Sequence, residues 1–275
     1  MRHLRSFVLF FGLALGQASS ADSTLEFLVA EDGEKPAKLQ SLLIKDGKIL
    51  LKGAGGGGSL DLIYSASPEQ LSIIDHAKRH VMTLDESQVN RIAQQAETVQ
   101  PLLQGFGEQI AKLSPKQRAQ WEDMLGGKLS LDAVAAAAQP TPKAKIVKTG
   151  QTRQVGGIAC EQIGVFQGKR QTAEFCLADP SKLNLPDSDY STLRSLLGFS
   201  ERLANKSQGL AKHFGLNLPN LDWRNLAGIP IALGGAAKQS AKSVRLSRIF
   251  VASAITPDTI KIPDGYQSEP FKLWN

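Results

Sequence analysis

The amino-acid sequence predicts an α+β fold, in which an antiparallel curved sheet (an incomplete β-barrel) is covered by an amphipathic helical hairpin and by further helices. Short apolar segments separated by turn residues occupy residues 24–84, which is the pattern of strands. An apolar stripe at helical spacing follows in residues 89–113, and strand-like segments resume after residue 145. This order of strands and helices is typical of the α+β class.

The chain begins with a predicted secretory signal peptide. Two arginines precede an unbroken apolar run, Phe7 to Gly16, and small residues follow. The run is too short to cross a bilayer, which takes about 20 apolar residues. We expect residues 1–21 to be removed by cleavage after Ala21, although cleavage after Ala18 or Ser20 satisfies the same rule. No cysteine lies at this junction, which argues against a lipid anchor.

Composition narrows the classes of partner. The chain has 32 basic and 26 acidic residues, and both signs are interspersed, whereas nucleic-acid binders concentrate positive charge on one face or arm. Aromatic residues make up 6% of the chain, too few for base-stacking platforms. We therefore expect no nucleic-acid partner. No segment after the leader is apolar for long enough to predict a transmembrane helix.

Six strands are predicted in the first third of the processed chain. They are Thr24–Ala30, Ser41–Ile44, Lys48–Lys52, Leu60–Tyr64, Leu71–Asp75 and His80–Leu84. Asp46 and Gly47 form a strong hairpin signal, because both residues tolerate the positive φ of a tight turn. The run GAGGGG, Gly53 to Gly58, formally matches a dinucleotide-binding fingerprint, but a strand follows it where that site needs a helix. We interpret it as a hairpin loop.

A helical hairpin is predicted next. Apolar residues from Val89 to Leu113 alternate spacings of three and four, which places them on one side of a helix. Asp85 and Gln88 resemble a capping box at its start, and Ser114 followed by Pro115 begins a second helix. The pair is expected to lie over the sheet as a lid.

A coiled-coil dimer is the alternative interpretation of this stripe. Pro101 removes an amide hydrogen and crowds the preceding turn, and Gly105 and Gly107 weaken the same region. These breaks favour a kinked lid over a continuous coiled coil.

The remainder of the chain is predicted to complete the same domain. Residues 138–145 are interpreted as a linker within a single domain that spans residues 22–275. Strands are expected at 146–148, from Arg153 onward, and at Ser243–Ala254, with an amphipathic helix over Asp187–Leu210.

Cys160 and Cys176 are the only cysteines of the chain. They lie equally far from Gly168, the centre of a predicted hairpin, so they should face each other at about 4.5–5.5 Å between Cα atoms, which suits a disulfide. We expect the bond to form after export and to lock the strand register. The pair lacks the C-x-x-C spacing of a redox centre.

Alternation along this hairpin assigns its two faces. The predicted core side carries Ile163, Val165, Ala173, Phe175 and Leu177. The cysteines are therefore expected on the wetter side.

No motif predicts catalysis or metal binding. His76 and His80 lie close together, but no further ligands appear at zinc-site spacing, so exposed turn histidines are the favoured interpretation. The chain contains no G-x-S-x-G, H-E-x-x-H or S-x-x-K motif. We predict a non-enzymatic protein without cofactor or metal. An enzyme would require acidic or histidine side chains that converge in a pocket.

The segment SLDLIYSASPEQLSIIDHAKRHVMTLD, residues 59–85, resembles a stretch of the LolA/LolB-like lipoprotein carriers and receptors of Gram-negative bacteria. The closing IKIPDGYQSE and the order of elements resemble the same group. The chain looks closer still to uncharacterised exported bacterial proteins of that fold, which share the C…G…CLA hairpin and the LSPKQRAQWEDM helix. The resemblance implies a periplasmic location and an apolar cavity for acyl chains.

The predicted function is therefore binding of a lipid, a lipoprotein acyl chain or another hydrophobic ligand between the sheet and the lid. The candidate lining residues are bulky apolar side chains of the lid helices: Val99, Leu103, Phe106, Trp121 and Met124. Plain core packing of these five residues is the alternative. A second hypothesis is a protein-interaction or stress-related module of the cell envelope that uses the same fold as a surface.

Overall fold

The computed structural model of the protein describes most of the chain from residue 22 onward. The described residues are 22–31, 37–54, 59–91, 94, 105, 108–110, 112–124, 131, 144–213, 226–234, 242–251 and 254–269. The predicted leader, residues 55–58 of the glycine run and the proposed linker up to residue 143 lie outside this set. Three predicted lining residues, Val99, Leu103 and Phe106, also lie outside it.

Twelve strands and two helices are delimited in the described residues. The strands are β1 Ser23–Glu31, β2 Lys38–Lys45, β3 Lys48–Ala54, β4 Leu60–Ala66, β5 Glu69–Asp75, β6 His80–Asp85, β7 Ala144–Val155, β8 Ile158–Gln167, β9 Arg170–Ala178, β10 Ile229–Gly234, β11 Lys242–Val251 and β12 Gln267–Glu269. The helices are α1 Pro115–Met124 and α2 Asp187–His213, with 3-10 turns at Pro180–Lys182 and Pro257–Ile260. Neither helix has the length and apolarity required to cross a membrane.

All twelve strands belong to one sheet, in the order β12-β6-β5-β4-β3-β2-β1-β11-β10-β9-β8-β7. The first six strands form an antiparallel meander that matches the predicted segments. The Asp46–Gly47 turn aligns Lys45 with Lys48, as its sequence predicts. Strand β12 pairs with β6 in parallel, which makes the sheet mixed.

The predicted fold class, a half-barrel covered by a helical hairpin, is wrong. The described chain forms a large mixed sheet whose ends, β12 and β7, do not meet. Helix α1 has no buried side chain, and Trp121 and Met124 are 48% and 70% exposed. Its sequence, PKQRAQWEDM, is polar on most sides, so it lacks the continuous apolar face that a lid requires.

The predicted start signals of both hairpin helices are confirmed, since residues 86–91 are helical and α1 begins at Pro115. The amide of Gln88 donates to Asp85 Oδ1 at 2.7 Å, and Gln88 Oε1 accepts from the Asp85 amide at 3.3 Å. Ser114 and Gln117 exchange the same two bonds at 3.3 and 2.9 Å. Capping boxes depend on residues three positions apart, which is why sequence alone finds them.

Helix α2 covers one face of the sheet. Leu193 and Phe199 are buried against strand residues, among them Leu25, Ile49 and Leu246. On the opposite face of β3–β6, Ile255 and Ile260 cover a second apolar cluster formed by Leu50, Ile63, Ile74 and Val81. This part of the sheet is therefore buried on both faces.

The sheet is strongly curved at its β7 end. Gly156, in the turn between β7 and β8, has φ of +58°, and a Cβ atom there would lie 3.0 Å from the carbonyl oxygen of Ser247 on β11. Three strands separate β7 from β11 in the sheet order. The close approach at Gly156 shows that the sheet bends back on itself around them, which creates a concave region.

The predicted disulfide is present, with 5.4 Å between the Cα atoms of Cys160 and Cys176. The predicted register is off by two residues. The turn, which pairs Gln167 with Arg170, accounts for one, and a shift between Val165 and Phe166 accounts for the other, so Cys160 aligns with Ala178 and Cys176 with Gln162. The disulfide therefore joins diagonal neighbours rather than directly opposed residues.

The predicted wetter environment of the cysteines is also wrong. Cys160 and Cys176 are 3% and 2% exposed and belong to the core cluster that α2 covers. The other face of the hairpin is equally buried, since Ile163 and Val165 pack with Leu226. Both faces are covered by residues that are remote in sequence. The alternation of apolar residues within the hairpin therefore could not show that both faces are buried.

Candidate functional site

A cavity of about 340 Å³ opens in the concave region between β1, β9, β10 and β11. It lies where the sheet is weakly paired: within the described residues, β10 pairs with β11 only at Ala232–Arg245 and Leu233–Val244. The neighbouring β1–β11 and β9–β10 ladders are longer. The short ladder leaves space between strands that would otherwise be filled. The volume is at the lower end of the usual range for small-molecule sites.

The cavity wall combines apolar and charged side chains. Leu28, Phe175, Leu233 and Val244 supply the larger apolar surfaces. Cys176 also lines the cavity, so the disulfide holds β9 where it forms the wall. A mixed wall of this kind suits a ligand with an apolar body and a polar end.

Two arginines lie in the wall, and their environments differ. Arg153 Nη1 lies 3.5 Å from Glu174 Oε1, so its charge is largely compensated. Arg245 is exposed and has no acidic partner in the described part of the chain. Ser243, two residues before Arg245, adds a hydroxyl group to the same wall. Arg245 is thus the group available to an anionic ligand.

The two predicted lining residues that the structure describes, Trp121 and Met124, do not line this cavity. Trp121 and Met124 lie on α1 with exposed side chains and are absent from the wall. Sequence reasoning missed Arg245 and Leu233. Arg245 lies in the alternating segment SVRLSRIFV, and an arginine between two apolar residues was the available signal. That signal does not locate the cavity, because the wall is formed by strands that are distant in sequence.

A polar network fixes α2 to the sheet on the face that carries the main core. The Tyr64 hydroxyl lies 2.6 Å from Ser195 Oγ and donates to Glu69 Oε1 at 3.0 Å. The Arg202 guanidinium pairs with the other oxygen of Glu69. The Tyr64 ring is 1% exposed and lies 5.7 Å from the ring of Phe199. The network joins β4 and β5 to α2 and leaves Tyr64 inaccessible to a ligand.

The ionisation of Tyr64 should be coupled to unfolding. Burial, followed by the nearby Glu69 carboxylate, raises the pKa of Tyr64 from 10.0 to about 12. A raised folded-state pKa stabilises the protein fully below pH 10, and this contribution is lost as the pH rises through 12. We expect the tyrosinate absorbance of Tyr64 to appear together with loss of circular dichroism. Ionisation of every tyrosine near pH 10 in the folded protein would contradict this prediction, and Tyr64→Phe should abolish the delayed component.

A second cluster joins the C-terminal segment to the meander. His76 Nε2 lies 3.0 Å from Asp61 Oδ2, and His76 Nδ1 lies 2.9 Å from the Tyr266 hydroxyl. The guanidinium of Arg79 lies 5.8 Å from the Tyr266 ring centre. His76, predicted as an exposed turn residue, instead bridges two elements. None of these side chains lines the cavity.

No three histidine, cysteine, aspartate or glutamate side chains of the described residues are arranged to hold a metal ion. The prediction that the protein has no metal concerns the whole chain, and it stays a prediction.

Comparisons with known proteins return distant similarity only. No known protein family and no curated protein matches the chain. A solved structure of PNGF-II has a TM-score of 0.39 and 7% identity, over 92% of this chain and 31% of that one. The Pseudomonas aeruginosa MucA/MucB complex has a TM-score of 0.27 and 9% identity, over 88% of this chain and 55% of the chain matched. The chain therefore spans about a third and about half of these two neighbours.

Proposed function

We propose that this protein is an exported, non-enzymatic binding protein that holds a single acyl chain with an anionic end group. The cavity between β1, β9, β10 and β11 is the proposed site. One observation carries the proposal: the cavity wall places apolar side chains next to Arg245, which has no acidic partner among the described residues.

The composition of the wall supports this class of ligand. An acyl chain would cover Leu28, Phe175 and Val244, and removal of their apolar surface from water favours binding. A carboxylate at its end would pair with Arg245. The volume favours one chain over a two-chain phospholipid.

Export to the periplasm is part of the proposal. The leader-like residues 1–21 motivate it, and the Cys160–Cys176 disulfide is a bond that persists in oxidising compartments.

Replacement of Arg245 by serine tests the binding site. We expect Arg245→Ser to weaken binding of dodecanoate about tenfold, which corresponds to about 1.4 kcal/mol. Binding of 1-dodecanol, which lacks the charge, should be weaker in the native protein and unchanged by the substitution. Isothermal titration calorimetry of the purified protein that lacks residues 1–21 measures both ligands.

Arg248→Ser is the matched control, because Arg248 lies on the same strand, is exposed and is not part of the cavity wall. Its Nε lies 3.1 Å from Glu26 Oε2, and Glu26 is likewise not part of the wall. If both substitutions weakened dodecanoate binding equally, general charge attraction would explain the effect, and this result would count against the site. Absence of binding of any single-chain acid by the native protein would exclude the proposed function.

The second candidate is an envelope protein-interaction module, and strand β7 favours it. This strand has twelve residues, lies at one edge of the sheet and is exposed along most of its length. Such an edge can add a strand from a partner. The irregularity between Lys148 and Thr152 interrupts the β7–β8 ladder. Such irregularities protect an edge strand against pairing with another chain, so this feature counts against the second candidate. A pull-down from an envelope fraction that returned a stoichiometric protein and no lipid would favour this candidate.

A further inference from the structure

Asp189 is a buried acid that pairs with no cation among the described residues. It lies in the first turn of α2 and is 3% exposed. Its Oδ2 atom has no hydrogen-bond partner in the described part of the protein. The contact from Ser188 Oγ to the other oxygen, Oδ1, is long, at 3.4 Å. Burial of a carboxylate without a compensating charge is costly. The site therefore lacks a donor, and a positively charged donor would suit it best.

The start of β1 lies against this carboxyl group. Ser23 is 0% exposed, and its hydroxyl lies close enough to Asp189 to lower the pKa of that acid, although it does not reach hydrogen-bond geometry. Burial is the larger influence and raises the pKa of Asp189, and the charges of Asp22 and Asp46 add to the increase. Two buried polar atoms of neighbouring side chains, Asp189 Oδ2 and Ser23 Oγ, thus have no hydrogen-bond partner among the described residues.

Asp22, the residue before Ser23, is paired with a lysine. Lys45 Nζ donates to both carboxylate oxygens of Asp22, at 3.0 and 2.7 Å. The amide of Ile255 also donates to Asp22, at 3.3 Å. These contacts hold Asp22, which is 6% exposed, at the edge of the Asp189 site.

We propose that Asp189 and Ser23 form a binding site for the α-ammonium group that processing creates on Asp22. This inference rests on the export that is part of the proposed function. Hydrolysis by a signal peptidase breaks the bond between the Ala21 carbonyl carbon and the Asp22 nitrogen. Water supplies the oxygen of the new Ala21 carboxylate, and its two protons convert the Asp22 nitrogen from N–H to an ammonium group. A single amide hydrogen is thereby replaced by three charged donors on the residue adjacent to Ser23.

The consequence is that removal of the leader completes the fold. Before cleavage, the described hydroxyl neighbours of Asp189, Ser23 and Ser188, are neutral. After cleavage, its charge is compensated inside the protein and the start of β1 is tied to the N-terminus of α2. The processed protein is therefore expected to be more stable than a form that keeps residues on the N-terminal side of Asp22.

The first measurement identifies the N-terminus. The intact mass of the protein exported to the periplasm of a Gram-negative host should correspond to a chain that begins at Asp22. A chain that begins at any other residue would overturn the inference.

The second measurement titrates the amine. NMR of the N-terminal ammonium group in the processed protein should give a pKa at least about one unit above the ordinary range of about 7.7–8.0. Asp189→Asn should return it to that range. Asp187→Asn is the matched control, because Asp187 lies in the same helical turn but is exposed, and it should leave the pKa raised. An ordinary pKa in the native protein, or a raised pKa in Asp189→Asn, would overturn the inference.

If Asp189→Asn does not fold, a processed chain that begins at Ala21 instead of Asp22 provides the test. It moves the ammonium group by one residue, about 3.8 Å along the chain. We expect the folding equilibrium constant of this variant to fall by about fivefold or more, a typical coupling between contacting groups. No change would count against the site. Neither Asp189 nor Ser23 lines the fatty-acid cavity, so dodecanoate binding reports on the proposed function separately.

Discussion

Tyr64→Ala is expected to lower the free energy of unfolding by about 3–5 kcal/mol, the usual cost of replacing a large buried aromatic side chain by alanine. Tyr64 is 1% exposed and packs against Phe199 under α2. The substitution leaves a cavity and removes the hydroxyl that joins Ser195 to Glu69. Urea denaturation followed by circular dichroism measures the change.

Tyr64→Phe separates the two contributions. It keeps the ring and removes only the hydroxyl, so we expect a loss of about 1–3 kcal/mol, the cost of a lost partner for buried polar groups. The ion pair between Glu69 and Arg202 is retained in both variants. An equal loss in both variants would show that hydrogen bonds rather than ring packing hold α2 on the sheet.

Removal of the disulfide is expected to have the second large effect. The Cys160→Ser and Cys176→Ser double variant should lose about 3 kcal/mol of stability, because the bond closes a short loop and restricts the unfolded chain. Two polar serines would also replace side chains that are 3% and 2% exposed. Thermal unfolding of the native and double-variant proteins checks the loss.

The same variant tests whether the disulfide also shapes the binding site. Cys176 lines the cavity, so the double variant should bind dodecanoate more weakly even at temperatures where it is folded. The Cys160→Ala and Cys176→Ala double variant is the control for polarity, since alanine adds no buried hydroxyl. Native affinity in both folded variants would assign the disulfide a purely stabilising role.

Much of the meander could be predicted from the sequence because its determinants are local. Alternating apolar residues and the Asp46–Gly47 turn locate β3 and its neighbours, and the register of the turn follows from its length. The capping boxes at Asp85 and Ser114 are likewise local, since each needs only a partner three residues away.

Which apolar helix face packs on the main core of the sheet could not be predicted in this way. The stripe that begins at Val89 and the stripe in α2 both have helical periodicity, and Val89 and Leu193 are each buried in the main core. Periodicity shows that a helix has an apolar face but not which surface receives it. The polar network around Tyr64 distinguishes α2, and it joins residues as far apart in sequence as Tyr64 and Ser195.

The sequence by itself determined the strands of the meander, the helix starts and the pairing of Cys160 with Cys176, because each depends on residues close together in the chain or on chemistry that has no alternative partner. Only the tertiary structure decided that the cysteines are buried, that α2 covers the sheet and that the cavity lies beside Arg245. Burial and cavities are set by which remote surfaces meet, and the curvature that brings β7 towards β11 at Gly156 is a property of the whole sheet.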